Sequence, residues 1–377
     1  MKQKFFIVTT VPHTLLFFKG QIQILKKLFD VTLISSPGSK LNYMQELEKV
    51  PTHGLEIKRN ISLINDLKSL YHLVLLFKKT KPHVVHGNTP KGGLLSMLAA
   101  FICRVPKRIY CIHGLRYQGN TGIKGSILKA MERFTCFLAS DIVTVSFGVA
   151  KTLKKDSITK KKVSVLANGS INGINSEYFA PGSINSNSLK EEIGLKKGNL
   201  VFGFVGRLVK DKGTNELIEA FVKLSEKYSH IRLLLVGGEE ENLDPLLPIT
   251  KKHLVNHPYI KSVGIQEDIR PYLDLMDIFT FPSYREGFGV SIMEAASMGI
   301  PAISSDTTGC NEIIQDGYNG ILIPPRSTDH LKNAMELLIN NPELKNKLAA
   351  VTRPYILEKY DQQLVWNAVN DFYIKMM

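Results

Sequence analysis

The sequence has few of the residues that hold together secreted or membrane-spanning proteins. It contains four cysteines, Cys103, Cys111, Cys136 and Cys310, with no Cys-x-x-Cys pair and no even framework. This spacing excludes a disulfide-rich scaffold and predicts a reducing compartment. The apolar run at residues 94–103 falls far short of the roughly 20 residues that a membrane-spanning helix needs. We therefore expect no spanning segment.

The amino terminus lacks the small-residue cleavage site of a secretory signal peptide. Residues 5–8 are apolar, but Pro12 and His13 interrupt the run soon afterwards. This pattern predicts a first β-strand rather than a signal peptide.

Motifs of several common function classes are also missing. No Gly-x-Gly-x-x-Gly motif follows the predicted first strand, which disfavours an NAD-dependent dehydrogenase. Neither zinc-finger spacing nor an RNP-like aromatic motif occurs, which disfavours a nucleic-acid binder. The Asp-x-Asp motif, which often anchors a divalent metal, is absent as well. We therefore expect neither a metal nor another cofactor.

The charge of the chain is concentrated in its first half. The net charge is +14, yet residues 1–180 carry 27 Lys and Arg against 9 Asp and Glu. Basic runs lie at residues 78–81, 151–155 and 160–162. Each run alone is typical of a solvated face, but together they favour contact with an anionic membrane surface or a pyrophosphate-bearing acceptor.

The hydrophobic pattern predicts two α/β domains. A chain of 377 residues is long enough for two domains, and both halves alternate short β-rich runs with amphipathic stretches. The first half has predicted strands near residues 4–10, 31–36, 55–60, 83–88, 108–114, 141–146 and 163–168. We predict a first Rossmann-like domain at residues 1–170, a turn-rich linker at 171–188 and a second at 189–355. A helix at 356–377 is expected to pack back on the first domain.

Two helical stretches of the first half have apolar stripes. One is predicted at residues 15–29 and the other at residues 66–79, where apolar side chains alternate with lysines. We expect both stripes to pack in the core. Peripheral membrane contact is the alternative for the second.

Residues 278–299 predict a strand, a glycine-bearing loop and a small-residue helix. The loop and helix contain five candidate ligand-binding residues, Glu286, Gly287, Phe288, Gly289 and Glu294. Free amides at a helix N-terminus attract anions, and glycines allow a ligand to approach the backbone. Carboxylates accept hydrogen bonds from sugar hydroxyls. Surface acids beside an ordinary turn are the alternative.

A second loop adds positive charge. Gly206 and Arg207 end a predicted strand, and Lys212 precedes the next helix. Two cations on one loop suit the neutralisation of a diphosphate leaving group.

Three predicted strand ends in the first half carry polar groups. Ligands of open α/β sheets gather at the carboxyl ends of strands. The candidates there are Thr10, His13, Asn88, Lys91 and His113. A histidine at a strand end can instead be structural.

These residues resemble the retaining GT-B glycosyltransferases of family 4. The resemblance covers nearly the whole chain: Glu286 and Glu294 with Gly287-Phe288-Gly289 between them, the run from Phe204 to Gly213, Gly237-Gly238, the segment around Gly264, residues 309–312, and His113-Gly114. It implies two Rossmann-like parallel-sheet domains facing across a cleft. It also implies that Glu294 holds the ribose hydroxyls, Glu286 a donor sugar hydroxyl, and the loop around Ile265 the base. His113 would lie by the transferred sugar.

One part of the chain departs from the family pattern. Many relatives have a glycine-rich first loop, whereas this chain has Thr10, Pro12 and His13, and Pro12 has no N–H to donate. Thr10 and His13 are therefore candidates for acceptor or first-loop contacts without a defined role.

Within the family, the first half resembles members that build lipid-linked polysaccharides or glycans. This resemblance rests on residues 82–86, 89–93 and 112–115. It implies a cytoplasmic enzyme at the inner face of the membrane that uses a nucleotide-sugar, expected to be UDP-linked, without metal and with retention. Glu286 as a glycosidase-like nucleophile or base is a competing role. A nucleotide-sugar epimerase, a phosphorylase and a non-enzymatic basic binding module are the alternative functions.

Overall fold

The computed structural model of the chain describes residues 2–60, 62–240 and 244–376. These residues form two compact units. The first ends at Gly173 and takes up the chain again from Gln362, and the second runs from Ile174 to Asp361. Each unit is built on one parallel sheet with helices between its strands. The predicted class, α/β with two Rossmann-like parallel-sheet domains, is confirmed.

The described residues contain thirteen strands and fourteen α-helices. The strands are β1 (Gln3–Val8), β2 (Phe29–Ser35), β3 (Thr52–Gly54), β4 (Val84–Asn88), β5 (Lys107–Ile112), β6 (Asp141–Thr144), β7 (Val163–Val165), β8 (Leu200–Val205), β9 (Ile231–Val236), β10 (Ile260–Ser262), β11 (Ile278–Phe281), β12 (Ala302–Ser305) and β13 (Gly320–Ile323). The helices are α1 (Gln21–Leu28), α2 (Ser39–Glu48), α3 (Leu63–Thr80), α4 (Pro90–Ile102), α5 (Gly122–Leu138), α6 (Phe147–Lys155), α7 (Asn187–Glu192), α8 (Thr214–Ser225), α9 (Pro248–Asn256), α10 (Arg270–Leu273), α11 (Val290–Ser297), α12 (Thr328–Asn340), α13 (Pro342–Tyr360) and α14 (Gln362–Ile374). None of them combines the length and hydropathy needed to cross a bilayer.

The first sheet has the strand order β3-β2-β1-β4-β5-β6-β7, and the second has the order β10-β9-β8-β11-β12-β13. Every pair of neighbouring strands is parallel. All five residues of β4 and the last four of β1 are buried, as expected for strands covered on both faces. The connections change direction between β1 and β4 in the first sheet and between β8 and β11 in the second. Ligands of such sheets bind outside the carboxyl ends of the strands at this switch point.

The predicted strand at residues 55–60 is wrong. The third strand, β3, ends at Gly54, although Leu55 and Ile57 are buried as a strand pattern suggests. The hydroxyl of Ser36 accepts from the Ile57 N–H at 2.9 Å and donates to the Ile57 carbonyl at 3.1 Å. A side chain therefore satisfies this backbone in place of a neighbouring strand.

The predicted helix at residues 15–29 is two separate elements. A 3-10 helix, Pro12–Phe18, is followed by α1, and Gly20 between them has φ +79°. A β-carbon at Gly20 would lie 2.9 Å from the Trp366 ring on α14. Glycine is therefore needed both for the backbone conformation and for the close approach of this ring.

The turn-rich segment predicted as a linker is not free. The N–H of Ile174 bonds to the Tyr360 carbonyl at 2.8 Å, and Arg353 of α13 donates to the carbonyls of Ser176 and Phe179. These bonds attach the segment to the second unit from Ile174 onward. The predicted linker 171–188 is therefore divided after Gly173, and residues 187–192 form helix α7.

The end of the chain also differs from the predicted helix at 356–377. Residues 356–360 complete α13 in the second unit, whereas α14 belongs to the first. The indole N–H of Trp366 donates to Asn172 at 2.7 Å, and the ring of Tyr373 packs on Phe5 with centroids 5.0 Å apart.

Candidate functional site

The switch point of the second sheet brings together the two loops that the sequence singles out. The loop after β8 carries Arg207 and Lys212 and ends at Gly213, which has φ +71°. A β-carbon at Gly213 would lie 2.1 Å from the carbonyl oxygen of Pro282, which follows β11. Only glycine allows the two loops to approach this closely.

Two ion pairs connect these loops. The Lys212 ammonium contacts the Glu286 carboxylate, and both side chains are largely buried. Arg285 lies 2.7 Å from Asp211. The Lys212 nitrogen also lies 5.2 Å from the centroid of the Phe281 ring, at a distance typical of a cation–π contact. The two candidate donor-site residues Lys212 and Glu286, which the sequence places on separate loops, are therefore in direct contact.

Arg207 does not share this ion pair. Its guanidinium lies 2.5 Å from the Glu240 carboxylate, and its side chain is 48% exposed. The preceding residue, Gly206, is next to the loop after β9, because a β-carbon at Gly237 would lie 1.8 Å from the Gly206 carbonyl oxygen. The structure thus places Arg207 at the exposed rim of the strand ends, with an acidic neighbour.

The loop before α11 fits closely against its surroundings. The N–H of Gly289 donates to the Gly309 carbonyl at 3.2 Å, and the N–H of Val290 donates to Phe288 at 3.0 Å. The expectation of free amides at the N-terminus of this helix is therefore wrong for Gly289 and Val290. The Phe288 ring is buried and packs edge-on against Tyr360, with centroids 5.4 Å apart. It belongs to the core, so only the backbone of residues 287–289 can face a ligand.

Glu294 lies in the second turn of α11 and is half-buried. Its carboxylate has no hydrogen-bond or ion-pair partner among residues 2–60, 62–240 and 244–376. Burial without a partner raises the pKa of Glu294 to about 8. A carboxyl group held this way, mostly protonated near pH 7, can accept hydrogen bonds from ligand hydroxyls without first breaking a protein contact.

The segment around Ile265 lies beside the same strand ends. The N–H of Gly237, after β9, donates to the Gly264 carbonyl at 2.8 Å, which ties the loops after β9 and β10 together. The Ile265 side chain is 83% exposed, and a β-carbon at Gly238 would lie 3.0 Å from it. An apolar surface with nearby backbone groups is chemically suited to the flat face and polar edge of a nucleobase.

The switch point of the first sheet is joined by neutral groups. The hydroxyls of Thr10 and Thr89 lie 2.6 Å apart, and the Gly92 N–H donates to Thr10 at 2.9 Å. These bonds connect the segment after β1 to the first turn of α4. Thr10 is buried, and its hydroxyl is occupied within the protein. The structure therefore gives Thr10 a role in holding the two loops, while His13 is exposed in the 3-10 helix.

Asn88 connects two histidines. Its amide nitrogen donates to the His86 carbonyl at 3.1 Å and lies 2.9 Å from His86 Nδ1, while its oxygen lies 3.0 Å from His113 Nε2. The bond to the carbonyl identifies the amide nitrogen, so Asn88 Oδ1 must accept a hydrogen bond from the Nε2–H of His113. His113 is therefore the Nε2–H tautomer, with its Nδ1 lone pair unprotonated.

Burial keeps both imidazoles neutral. Desolvation lowers the pKa of His113 to about 4, and desolvation together with the nearby His113 lowers the pKa of His86 to about 3. The His113 ring stacks on Phe17 with centroids 5.8 Å apart. A neutral, oriented imidazole can accept a hydrogen bond from a sugar hydroxyl.

Lys91 is paired within the first unit. Its ammonium lies 2.8 Å from Asp66 of α3 and also contacts the carbonyl of Asn60. The side chain is largely buried. The structure thus uses this candidate acceptor residue to attach the start of α3 to the first turn of α4.

Sequence reasoning missed the partners of the charged residues. Asp211 and Arg285 were not selected, nor was Tyr284, whose hydroxyl donates to Glu216 at 2.5 Å. A signal was present, because Asp211-Lys212 and Arg285-Glu286 are dipeptides of complementary charge on two predicted neighbouring loops. Each charge pairs with the opposite charge of the other dipeptide. No cluster of three or more metal-ligand side chains occurs in the described parts of the chain.

Two family models match the chain. Residues 185–353 match "Glycosyl transferases group 1", and residues 23–170 match "Glycosyltransferase Family 4". The capsular polysaccharide biosynthesis glycosyltransferase CapM of Staphylococcus aureus is 34% identical over 98% of this chain and 97% of its own. The UDP-Gal:alpha-D-GlcNAc-diphosphoundecaprenol alpha-1,3-galactosyltransferase of Escherichia coli is 29% identical over 93% of this chain and 90% of its own.

Solved structures agree with this fold. Anabaena HepE in complex with UDP and glucose has a TM-score of 0.81 at 18% identity, covering 99% of this chain and 100% of that one. The sucrose-phosphate synthase of Thermosynechococcus elongatus has a TM-score of 0.80 at 18% identity, covering 100% and 99%. The chain belongs to the group 1 glycosyl transferases, family 4, and has their GT-B fold. The predicted family is confirmed, and the protein is a glycosyltransferase.

Proposed function

We propose that this glycosyltransferase moves a hexosyl or N-acetylhexosaminyl group from a UDP-sugar to a lipid-linked glycan acceptor, with retention of the anomeric configuration. Two relatives support the acceptor class, since one is named for capsular polysaccharide synthesis and the other for a diphosphoundecaprenol-linked substrate. The UDP in the HepE complex supports uracil as the base of the donor nucleotide. The observation that carries the proposal is the Lys212–Glu286 pair at the switch point. Glu286 precedes α11, the helix that carries Glu294, whose carboxyl group has no partner among the described residues.

The donor binds at the second unit. Lys212 has three N–H donors, so it can hold Glu286 and a phosphate oxygen at the same time. Arg207 at the rim adds a second positive charge. Glu294 accepts hydrogen bonds from the ribose hydroxyls, and the backbone around Ile265 contacts the nucleobase. Binding the ribose gives the Glu294 carboxylate the hydrogen bonds that it lacks in the unliganded protein.

The chemistry needs no protein nucleophile. The acceptor oxygen forms the new bond to the anomeric carbon on the face from which the UDP oxygen departs, and the departing phosphate takes the acceptor proton. Glu286, held by Lys212, positions a hydroxyl of the donor sugar. That contact favours hydroxyl binding over the glycosidase-like attack by Glu286. The cations and the α11 N-terminus stabilise the leaving diphosphate, so we propose that transfer is independent of metal.

The first unit supplies the remaining contacts. His113 presents its Nδ1 lone pair to a hydroxyl of the transferred sugar, and Asn88 fixes the tautomer that makes this possible. His13, exposed in the 3-10 helix after the first strand, is the candidate for acceptor contact. We place the enzyme in the cytoplasm, peripheral to an anionic membrane surface that the basic first unit contacts.

A thermal-shift panel tests the donor assignment. UDP, GDP and their common hexose derivatives are titrated with and without EDTA against wild type, Glu294→Gln and Glu226→Gln. A ligand that binds the folded state raises the melting temperature by mass action. We expect UDP compounds to stabilise wild type and Glu226→Gln equally with EDTA present, and Glu294→Gln to lose most of the shift. Stabilisation by GDP compounds alone would overturn the assignment of uracil as the donor's base. Loss of every thermal shift in EDTA would overturn metal independence.

A further inference from the structure

Helix α3 has a second apolar face, which points to solvent. Its inward face buries Leu73 and Phe77, as the sequence predicts. Its outward face leaves Leu63, Ile64, Leu67 and Tyr71 exposed by 77%, 71%, 66% and 62%. Leu75 continues the stripe at 46%, so large apolar side chains recur every four residues along the helix. Leu67, expected in the core, is therefore on the surface.

A second helix of the same unit, which also packs on α4, exposes apolar side chains as well. Ile123 and Ile127, near the start of α5, are 82% and 51% exposed. The start of α3 and the middle of α5 both lie next to the first turn of α4. Lys91 of that turn bonds to Asp66 of α3, and one small cavity is lined by Lys91 together with Arg59, which precedes α3, and Leu128 of α5. We call Leu63, Ile64, Leu67, Tyr71, Leu75, Ile123 and Ile127 the α3–α5 surface.

The charge around this surface is mostly positive, although Glu56, exposed before α3, lines a groove together with Lys58 and Lys68. Lys58, Lys68 and Lys124 are exposed beside it. The acidic residues of α3 and α5, both helices being fully described, are Asp66, which is paired with Lys91, and Glu132, which accepts from the Tyr110 hydroxyl at 2.8 Å. No unpaired carboxylate on either helix offsets the lysines.

We propose that the α3–α5 surface is the part of the protein that enters an anionic phospholipid bilayer, with α3 lying in the plane of the interface. Apolar side chains bordered by lysines fit this environment, because the chains reach the acyl boundary while the ammonium groups meet phosphates. The inference rests on the proposed membrane location and identifies the surface responsible. It also places Asn60 and Lys91, next to the candidate acceptor loops, at the membrane edge, where the sugar of a lipid-linked acceptor is found.

Vesicle co-sedimentation of the full-length protein tests the surface. The vesicles are phosphatidylcholine alone or mixed with phosphatidylglycerol. The variant carries Leu63→Gln, Ile64→Gln and Leu67→Gln, and the matched control carries Leu247→Gln, Ile249→Gln and Val255→Gln at exposed apolar positions of the second unit. We expect wild type and the control to bind the anionic vesicles equally, and the α3 variant to bind them at least about tenfold more weakly. Binding of the α3 variant equal to that of wild type would overturn the assignment of this surface to membrane contact.

Further measurements separate the possible failures. The UDP-induced thermal shift of the α3 variant should equal that of wild type, which shows that it is folded. Lys68→Gln with Lys124→Gln should weaken binding at low salt and little at high salt, since charge attraction is screened. If wild type itself ignores anionic vesicles while UDP still stabilises it, the membrane location fails and the donor assignment stands. A wild-type dimer that the α3 variant converts to a monomer without lipid would assign the surface to a second copy and overturn the proposal.

Discussion

At the switch point of the second sheet, two ion pairs join the loops after β8 and β11, whereas neutral hydrogen bonds join the loops after β1 and β4 in the first. The pairs are Lys212 with Glu286 and Arg285 with Asp211. In the first sheet the corresponding contact is between the hydroxyls of Thr10 and Thr89. The same topology thus provides two sites of different chemistry, because topology fixes where the loops meet and only the side chains decide what they bind.

The contrast is reversed over the units as a whole. The first unit carries 28 Lys and Arg against 9 Asp and Glu, and the second carries 20 against 25. The basic unit therefore has the neutral switch point, and the slightly acidic unit has the charged one. This distribution separates two tasks. In the proposed function, surface lysines of the first unit contact an extended anionic partner, while a few oriented charges of the second unit bind one diphosphate.

The largest effect is expected from breaking the charged site at Lys212. Lys212→Met keeps the stem over Phe281 and removes the charge that faces the departing diphosphate. If Lys212 stabilises the leaving diphosphate as proposed, the rate of UDP release from the preferred UDP-sugar should fall about 10²–10³-fold, as for other lost transition-state contacts. Lys210→Met, in the same 3-10 helix but exposed, is the control and should keep its activity. Lys212→Arg should recover part of the rate, and full activity of Lys212→Met would exclude Lys212 from catalysis.

The neutral network of the first unit should be sensitive to the loss of Asn88. Asn88→Ala leaves His86 Nδ1 and His113 Nε2 without this shared partner. Unsatisfied buried polar groups cost about 1–3 kcal/mol, which should appear as a lower free energy of unfolding in urea. Asn42→Ala, exposed on α2, should change it by less than about 0.5 kcal/mol. A stability of Asn88→Ala equal to that of wild type would show that water replaces the amide without loss.

Glu294 should make the two sites differ in their response to pH. Its pKa is about 8 in the folded protein and near 4.5 in the unfolded chain, so the unfolded chain releases this proton first as pH rises. Wild type therefore loses stability relative to Glu294→Gln between about pH 4.5 and pH 8, and the full difference persists above that range. Melting temperatures should agree near pH 4 and favour Glu294→Gln by several degrees near pH 9.

The histidines of the first unit give the opposite dependence. The pKa values of His113 and His86 are lowered to about 4 and about 3, so the unfolded chain takes up their protons first as pH falls. Their contribution to stability is therefore lost below about pH 6.5.

For the prediction on Glu294, Glu226→Gln is the control variant, and its melting temperature should not rise relative to wild type at high pH. A melting temperature of Glu294→Gln that stays at or below wild type at pH 9 would show that the carboxylate is not penalised by burial.

The sequence pattern predicts most of the fold because both sheets are parallel and buried. Their strands are continuous apolar runs, such as residues 5–8 and 278–281, and these stand out from the helices between them. The pattern fails where one side chain replaces a strand, as Ser36 does at Ile57. It also fails for α3, because a helix that is apolar on two faces looks from its sequence like a helix buried on both.

The candidate site is predictable in its residues and less so in their pairing. The loops after β8 and β11 follow from the strand pattern, and the charges of Asp211-Lys212 and Arg285-Glu286 could have suggested that they pair. Within the described part of the chain Glu294 has no partner, whereas Thr10 and Lys91 already have theirs. These differences depend on the packing of distant segments and leave no mark in the local sequence. The tautomer of His113 depends likewise on Asn88, 25 residues earlier.

The smallest expected effect tests whether the two switch points are held by different forces. Asp211 and Arg285 are partly exposed, so a double-mutant cycle with alanine should give a coupling of at most about 1 kcal/mol, and high salt should abolish most of it. The cycle with Thr10→Val and Thr89→Val should give a coupling of about 0.5–1.5 kcal/mol that salt leaves unchanged, because neither partner is charged. Unfolding in urea at low and high sodium chloride measures both. If salt weakens the threonine coupling as much as the ionic one, the contrast between a charged and a neutral switch point does not extend to the energy that holds each pair of loops together.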